Sequence, residues 1–531
     1  MSLMIIDRIK ITVLIAAFLL SAAGVVPGQA RSNAQLEQIQ TLLQAGRLAD
    51  AEAAARKVVA EAPRNVAAHN LLGVVLDQGG RSDEAEKSYR EALRLNPRFT
   101  PARANLAVLL ARTGRRDQAI AMFEEVLKAD PNHPQAVYNL GFLYAGTGEY
   151  RKAIPLLERT SGIASGARAD MPVLLLLTES YLRGGRAEDG LRLADRIERE
   201  SGGDPRVLFT LALGLASSGV YDRAVVLFER INSLRPGTYE VLYNLGLACY
   251  NLQRYDDAMR VLGEAAALQP RNPEPLYRLG LAASAKGQSD VALTMWQRAL
   301  ALKPDFPEAN FMSAEELLKN RRLTIATEFY RKAVEGDPNQ LIYRLRLGVT
   351  LFRRRAYIQA RDVFREATVR FPDSPDAHYL TGYAGRAAGL YDEALESFNK
   401  ARTMQPDNPD VLANIGFILA ERGEYAEAEK LFRRAIELDP KNYPAHYDLG
   451  RILVRLKRFE EALPVLDRGA RMVANDPGIH YQLFTAYSRL RKKDEADRHL
   501  AIFKKLEEER KQREGEQGGA ATSETAAPRV P

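Results

Sequence analysis

Residues 409–442 read PDVLANIGFILAERGEYAEAEKLFRRAIELDPKN, and this stretch decides the fold. Its apolar and small residues recur at steps of three or four, which is the spacing of one face of an α-helix. They are Leu412, Ile415, Gly416 and Leu419, followed by Ala428, Phe432 and Ala435. The polar segment Glu421–Tyr425 between them contains a glycine and predicts a turn, and Pro440 ends the second helix. The stretch therefore predicts a helix–turn–helix hairpin whose two apolar faces need a partner to bury them.

The partner is the same hairpin, because the pattern repeats along the chain every 34 residues. A proline closes the repeats at Pro63, Pro97 and Pro131, and again at Pro236, Pro270, Pro304, Pro338, Pro372, Pro406 and Pro440. An alanine recurs at Ala51, Ala85, Ala119, Ala153, Ala224, Ala258, Ala292, Ala326, Ala360, Ala394, Ala428, Ala462 and Ala496. Small residues such as Gly416 recur in the first helix, and a large aromatic residue such as Phe432 follows in the second. We expect the small residues to let two helix backbones approach and the aromatic rings to fill the next gap.

This period and its Leu-Gly…Ala…Phe…Ala…Pro pattern resemble the tetratricopeptide repeat (TPR) family. The resemblance covers roughly residues 32–505. It implies an all-α fold, a right-handed α-solenoid superhelix of about fourteen 34-residue helix–turn–helix hairpins. It also implies a chain built of TPR hairpins alone, of the exported bacterial type.

The sequence predicts three segments. Residues 1–30 have two basic residues, Arg8 and Lys10, before a short apolar run and small residues around Ala30. That layout is typical of a secretory signal peptide, with an uncleaved membrane anchor as the alternative. The solenoid is predicted to occupy residues 31–505, and residues 506–531 are predicted to be a charged helix end and a disordered tail.

The repeat loses its register once, because Pro131 and Pro236 lie 105 residues apart, three residues more than three periods. Small residues crowd the segment 161–167, and Gly190 stands where an alanine is due. We expect an irregular joint near residues 161–204, either a flexible joint or an irregular loop, with a ligand-binding loop as the less favoured alternative.

Composition and charge give no sign of a nucleic-acid partner. The net charge of +7 is spread over 531 residues, whereas nucleic-acid binding calls for a concentrated basic face. The most basic region, residues 343–370, carries eight arginines. It is interpreted as solvated outer helix faces, with a patch for an acidic ligand as the alternative.

The chain shows no signature of an enzyme. It lacks a glycine-rich phosphate loop and a nucleophile motif, and no segment outside the repeats is long enough for a catalytic domain. Four histidines share one position of the first helix and are interpreted as packing residues: His69, His378, His446 and His480. His133 and His499 have no partners at metal-ligand spacing, so no metal site or cofactor is predicted. The single cysteine, Cys249, falls on a core position and cannot form an intrachain disulfide.

One stripe of the first helix packs against other helices. A second stripe is the candidate for function, because in the TPR family this stripe lines the concave groove. It carries an aromatic series, Tyr138, Phe209, Tyr243, Tyr277, Phe311, Tyr379, Tyr447 and Tyr481. The next position holds Asn105, Asn139, Asn244 and Asn414, with Arg278, Arg346, Asp448 and Gln482 in other repeats. An asparagine amide can donate and accept hydrogen bonds, so a row of them can hold an extended peptide. The alternative is that these residues merely follow the family's average. A carboxylate clamp of the kind that binds a chaperone's C-terminus is not predicted, because its lysine and asparagine positions hold other residues here.

The sequence thus predicts a non-enzymatic scaffold that is exported from the cytoplasm and binds a protein or peptide in a long groove. The alternative is a structural component of an envelope assembly, such as a polysaccharide-export or secretion apparatus. The location is expected to be periplasmic or secreted, with membrane contact if the leader is not cleaved. The partner's identity is not encoded in any motif.

Overall fold

The computed structural model describes residues 27–161 and 170–516. Every regular element in these ranges is an α-helix, and the 28 helices pair into fourteen hairpins, as the repeat period predicts. The described chain divides into two compact units of seven hairpins, with the division between Leu268 and Gln269. Each hairpin packs its two helices against each other and against the next hairpin of its unit. The all-α solenoid expected from the sequence is confirmed.

The helices of the first unit are α1 Pro27–Gln44, α2 Leu48–Glu61, α3 Val66–Gln78, α4 Ser82–Leu95, α5 Thr100–Arg112, α6 Arg116–Ala129, α7 Pro134–Gly146, α8 Tyr150–Thr160, α9 Met171–Arg183, α10 Ala187–Glu200, α11 Pro205–Ser217, α12 Tyr221–Leu234, α13 Tyr239–Asn251 and α14 Tyr255–Leu268. Those of the second unit are α15 Pro273–Ala285, α16 Ser289–Leu302, α17 Pro307–Lys319, α18 Leu323–Gly336, α19 Leu341–Arg353, α20 Tyr357–Arg370, α21 Pro375–Ala387, α22 Tyr391–Met404, α23 Pro409–Glu421, α24 Tyr425–Leu438, α25 Tyr443–Arg455, α26 Phe459–Met472, α27 Pro477–Arg489 and α28 Lys493–Glu516. Odd-numbered helices are the first helices of their hairpins and even-numbered helices are the second.

The two helices of every hairpin are joined by a turn with one residue in the left-handed backbone region. Nine turns place a glycine there, for example Gly423 with φ of 83°. The other five place Gln253, Arg321, Arg355, Lys457 and Arg491 there, with φ between 56° and 62°. A side chain in this region costs roughly 1–2 kcal/mol relative to the right-handed region. Those five turns therefore carry local strain that the surrounding hairpin contacts offset.

The repeated small residues are close-packing positions. A Cβ atom added to Gly280 would lie 2.6 Å from Cδ1 of Trp296, and one added to Gly416 would lie 2.9 Å from Cε1 of Phe432. The repeated alanines of the second helices, including Ala428, are buried, and so are the rings that follow them. Close packing of this kind makes each position sensitive to a single added methyl group.

The first helices line the inner side of each unit. Helices that are consecutive along the chain contact each other. Apart from these pairs, the larger helix–helix contacts in the described chain are between first helices of successive hairpins, such as α3 with α5 and α25 with α27. Second helices of successive hairpins do not approach each other to the same extent within the described ranges. Helices on the inner side of a curved stack lie closer together than those on the outer side, so each unit curves toward its first helices.

A hydrogen bond that the sequence did not reveal ties the polar residues at one position of the first helices to the preceding turn. Four positions before the repeated small residue, a polar side chain bonds to the backbone carbonyl six residues earlier. The bonds are His69 to Pro63 at 2.9 Å, His378 to Pro372 at 3.0 Å, His446 to Pro440 at 3.2 Å, His480 to Ala474 at 3.0 Å and Asn310 to Pro304 at 3.3 Å, with Arg103 to Pro97 and Arg344 to Pro338 in the same arrangement. Each bond satisfies a carbonyl left free where the previous helix ends. The histidine series therefore packs, as predicted, and also fixes the connection between hairpins.

The predicted segment boundaries fall partly outside the described residues. The leader up to residue 26, residues 162–169 of the predicted joint and residues 517–531 of the predicted tail lie outside them. Helix α9 packs on α8, so hairpin stacking continues beyond the joint, and a Cβ on Gly190 would meet Leu182. Helix α28 runs without a break from Lys493 to Glu516, through the predicted start of the charged end. Within the described ranges, no helix combines the length and apolar character that a membrane crossing requires.

Candidate functional site

The aromatic series of the first unit sits on the inner face and is braced by neighbouring rings. Tyr138 stacks on Phe142 with ring centroids 4.7 Å apart, and Tyr243 stacks on Tyr239 at 5.7 Å. Both Tyr138 and Tyr243 are half-buried, and burial raises the pKa of Tyr138. A ring held in this way presents one fixed edge to the inner face, so it loses little conformational freedom when a ligand contacts it.

The aromatic series of the second unit is more deeply packed. The Tyr277 ring lies 4.9 Å from that of Phe306, and burial raises the Tyr277 pKa to about 12. Tyr379 packs against Phe398 of the second helix at 5.8 Å, and burial raises its pKa well above the usual value. Much of the surface area of these two rings is therefore buried against neighbouring residues. Tyr447 is intermediate in burial and stacks on Tyr443 at 6.2 Å.

The predicted asparagines of the first unit reach different partners. The side-chain amide of Asn105 donates to Oδ1 of Asn70 at 3.0 Å and so links two adjacent first helices. Asn139 is buried and donates to the backbone carbonyl of Gln135 at 2.8 Å. Asn244 donates to the carbonyl of Glu240 at 2.7 Å but is partly accessible to solvent. Of these three, the accessible Asn244 is the best placed to bond an extended ligand.

Asn414 of the second unit is engaged in packing. Its amide donates to the carbonyl of Asp410 at 2.7 Å and also hydrogen-bonds the Tyr379 hydroxyl, while the residue as a whole is buried. Its Oδ1 atom is buried and has no hydrogen-bond partner among the residues that the structure describes. The structure thus brings the predicted residues Tyr379 and Asn414, which lie in successive hairpins, into direct hydrogen-bonding contact with each other.

The inner face also contains carboxylates that the repeat pattern did not single out. Glu316 is almost fully buried, accepts from the hydroxyl of Ser284 at 2.7 Å and pairs with Lys319 at 2.8 Å. Asp77 is buried and pairs with Arg112 of the next hairpin. Neither carboxylate recurs with the repeat, so periodicity could not have found them. Each joins neighbouring first helices by a polar contact that is protected from solvent.

The arginine-rich region 343–370 is largely engaged in internal contacts. Arg361 pairs with Glu393 of the next hairpin, Arg370 donates to Oδ1 of Asn339 at 3.2 Å, and Arg354 donates to the hydroxyl of Thr327 at 3.2 Å. Arg346 lies 3.5 Å from Glu315, and Arg344 bonds a backbone carbonyl. These contacts favour a structural role for the arginines over a patch that binds an acidic ligand.

A cavity of about 330 Å³ opens on the inner face where α23, α25 and α27 come together. It is lined by Tyr425, Arg451, Arg455, Tyr481 and Gln482, together with small and apolar residues. Arg451 is fixed by Glu421 at 2.7 Å and Asp448 at 3.1 Å. Burial raises the pKa of Asp448 to about 6.

Two polar side chains of this cavity, Arg455 and Gln482, are open to a ligand. The guanidinium of Arg455 lies over the Tyr425 ring at 5.4 Å, and it forms no ion pair or hydrogen bond with any described residue. The amide of Gln482 also lacks an internal partner within the described ranges. Tyr481 is 47% exposed and is the most accessible ring of the aromatic series. Tyr481 therefore differs from the aromatic residues at the same position in earlier repeats of the second unit, which are more deeply packed.

The described residues contain no cluster of three or more histidine, cysteine, aspartate or glutamate side chains that could hold a metal ion. Cys249 is buried, as predicted, and burial raises its thiol pKa to about 11. A thiol with such a raised pKa is protonated near neutral pH and is a poor nucleophile.

The stacking of hairpins within each unit defines a helical repeat protein. Two family models, both described as tetratricopeptide repeat, match the chain. One matches residues 36–98, 277–340 and 345–409, and the other matches residues 83–136, 112–171, 215–279 and 419–486. Together they cover most of the sequence, so this chain belongs to the tetratricopeptide repeat family. Repeats of this family generally mediate protein–protein interactions, and its members are generally not enzymes.

Several solved structures are similar to parts or most of this chain. The C-terminal part of a TPR repeat-containing protein from Cytophaga hutchinsonii is 16% identical, with 45% of this chain and 97% of that chain covered and a TM-score of 0.40. YrrB, described as a TPR protein with an unusual peptide-binding site, is 19% identical, with 35% and 95% covered and a TM-score of 0.32. A chain of the Naa15/Naa10 complex bound to HypK is 15% identical, with 90% and 89% covered and a TM-score of 0.35. A search of curated proteins found no match.

Proposed function

We propose that this protein is an exported scaffold that holds an extended segment of a partner protein along the inner face of its first helices. The observation that carries the proposal is the series of braced, half-exposed rings on that face, represented by Tyr138 and Tyr243 in the first unit. Rings of this kind supply apolar contact area at low entropic cost. They suit side chains that alternate along an extended peptide.

Hydrogen bonding to the partner's backbone is the second element of the proposal. Asn244 uses one amide hydrogen within its own helix, which leaves its other N–H and its carbonyl oxygen for a ligand. Asn105 links two neighbouring first helices, and Asn139 bonds a carbonyl of its own helix. Of the three predicted asparagines in the first unit, Asn244 is therefore the proposed ligand-bonding group, and the other two stabilise the first helices.

Export is proposed from the sequence alone. The basic residues Arg8 and Lys10, the short apolar run and the small residues near Ala30 support a cleaved leader. The mature protein is then expected to begin at or near Arg31, outside the cytoplasm. N-terminal sequencing of the protein purified from its native host measures this directly, and a mature protein that begins at Met1 or Ser2 would exclude cleavage.

The binding proposal is tested by photo-crosslinking from two positions. A photoreactive amino acid at Tyr243 on the inner face is expected to capture a partner, whereas the same group at Val226, a 55% exposed residue of second helix α12, is not. The affinity of the captured partner is then measured for two variants. Asn244→Ala is expected to weaken binding by roughly 0.5–1.5 kcal/mol, because it removes hydrogen bonds to the ligand.

Asn139→Ala is the matched variant, because its buried amide bonds its own helix. It is expected to lower the unfolding midpoint while the partner's affinity changes little. Circular dichroism confirms that both variants keep their helical content. Equal crosslinking from positions 243 and 226, or full affinity after Asn244→Ala together with Tyr243→Ala, would refute binding at the inner face of the first unit.

A further inference from the structure

The cavity lined by Arg455, Tyr481 and Gln482 has the chemistry of a site for a single carboxylate, and we propose that it takes an acidic side chain of the bound partner segment. This inference deepens the proposed function, on which it rests, because the cavity lies on the inner face of the second unit. It assigns a charge preference to one place along the bound chain.

One guanidinium group that lines the cavity, that of Arg455, has no ion-pair partner among the described residues. Two guanidinium groups line it and no carboxylate does. The Arg451 charge is balanced by Glu421 and Asp448, at 2.7 and 3.1 Å. Arg455 has neither an ion-pair nor a hydrogen-bond partner within the described chain. One free cation matches one negative charge, and the two nearby carboxylates would repel a more highly charged anion such as phosphate.

Groups around the cavity can complete the bonding of a carboxylate. A guanidinium bonds both oxygens of a carboxylate through parallel N–H donors, and the Gln482 amide offers further donors. The Tyr425 ring under Arg455 holds its guanidinium plane by a cation–π contact. The exposed ring of Tyr481 offers apolar area for the methylene groups of a glutamate.

The position of the cavity favours a side chain over a chain terminus. At about 330 Å³ it is at the lower end of the volumes typical of small-molecule sites. It opens on the inner face of the second unit, among first helices that would contact the partner backbone there. A side chain can therefore enter while the backbone continues in both directions along the first helices.

The test is selection from a displayed library of random peptides, each flanked by linker on both sides, on the full-length protein. The wild-type protein is expected to enrich peptides with Glu or Asp at one fixed position. Arg455→Glu is expected to lose that preference and to enrich Lys or Arg at the same position. Arg402→Glu is the matched control, because Arg402 is exposed on second helix α22, and it is expected to keep the acidic preference.

A selected peptide is then measured by titration in a double-mutant cycle. Changing its acidic residue to the corresponding amide is expected to weaken binding to the wild-type protein about tenfold, and to change binding to Arg455→Ala less than about twofold. Arg455 is exposed, so these variants are expected to fold, and circular dichroism checks that they do.

Three results would overturn the carboxylate site while leaving the proposed function intact. They are selected peptides without an acidic preference, an acidic preference that persists in Arg455→Glu, and a preference seen only when the library presents a free C-terminus. The last result would assign the site to a terminal carboxylate. If the wild-type protein selects no peptide at all, the proposed binding function and this inference both fail.

Discussion

Gly280→Ala is expected to destabilise the second unit by about 2 kcal/mol, because the added methyl group has no room beside Trp296. The new Cβ would lie 2.6 Å from Cδ1 and 2.8 Å from Cε2 of the indole ring. Carbon atoms in contact prefer about 3.5–4.0 Å, so the ring must withdraw by about 1 Å. The ring is fully buried and cannot relax into solvent.

The magnitude follows from three contributions. Overpacking of a well-packed core costs about 1–3 kcal/mol. Withdrawal of the ring also breaks the hydrogen bond from Nε1 of Trp296 to the carbonyl of Tyr277, now 3.1 Å long, at a cost of about 0.5–1.5 kcal/mol. Alanine is better than glycine in a helix by about 1 kcal/mol, which offsets part of the loss. Gly214→Ala in α11 is the control, because a Cβ there meets nothing within 4 Å and only the helix-propensity gain remains.

The assay is urea unfolding monitored by tryptophan emission. The signal reports on the surroundings of Trp296 alone, because Trp296 is the chain's single tryptophan. Far-UV circular dichroism follows the whole chain in parallel. Gly280→Ala should lower the emission midpoint and alter the native emission spectrum. Gly214→Ala should leave that spectrum unchanged and should not reduce stability. If Gly280→Ala matches the wild-type protein in both emission and midpoint, the indole does not pack on this backbone as described.

Two further predictions concern the turns and the histidine contacts. Lys457→Gly should raise the free energy of unfolding by up to about 1 kcal/mol, because Lys457 is exposed and occupies the left-handed region with φ of 62°. Chemical unfolding of the variant checks this, and a loss of stability would contradict the strain argument. Burial lowers the pKa of His446 below the value near 6.5 of an unfolded histidine, so protons bind the unfolded chain preferentially. Its contribution to stability is therefore complete above pH 6.5 and declines as the pH falls toward the folded pKa. His446→Asn should retain the bond to the preceding turn, as Asn310 does in its own repeat, and should show a smaller loss of stability between about pH 7 and pH 5. An unchanged pH dependence in that variant would show that other groups cause it.

The fold could be predicted from the sequence because its determinants recur. Gly416 with Phe432 and Gly280 with Trp296 repeat one contact, and each copy reinforces the interpretation of the others. The fourteen hairpins of the described chain follow from the same repeat period. The hydrogen bonds from the histidine position could not be predicted, because their acceptors are backbone carbonyls that every residue possesses. Only the geometry of the turn before each first helix brings His446 and Pro440 together.

The candidate site was harder to predict, because helical periodicity assigns a residue to a face but does not say what it touches. Tyr379 and Tyr243 occupy the same repeat position. Tyr379 is strongly desolvated against Phe398, whereas Tyr243 stacks on a tyrosine of its own helix. The difference arises from the second helix of the same hairpin, where Phe398 provides a ring that the pattern allows but does not require. The predicted stripe is therefore a set of equivalent positions with unequal access to a ligand.

Side-chain length explains which amide on the inner face remains available. Asparagine has a short side chain that folds back on its own helix, and Asn139, Asn244 and Asn414 each donate to the carbonyl four residues earlier. Gln482 occupies the same repeat position, but its amide is one methylene group farther from the backbone and bonds no described residue. A longer side chain gives up the local hydrogen bond and reaches toward the cavity beside Arg455. The glutamine at this position, unlike the three asparagines, thus keeps its full hydrogen-bonding capacity open to a partner.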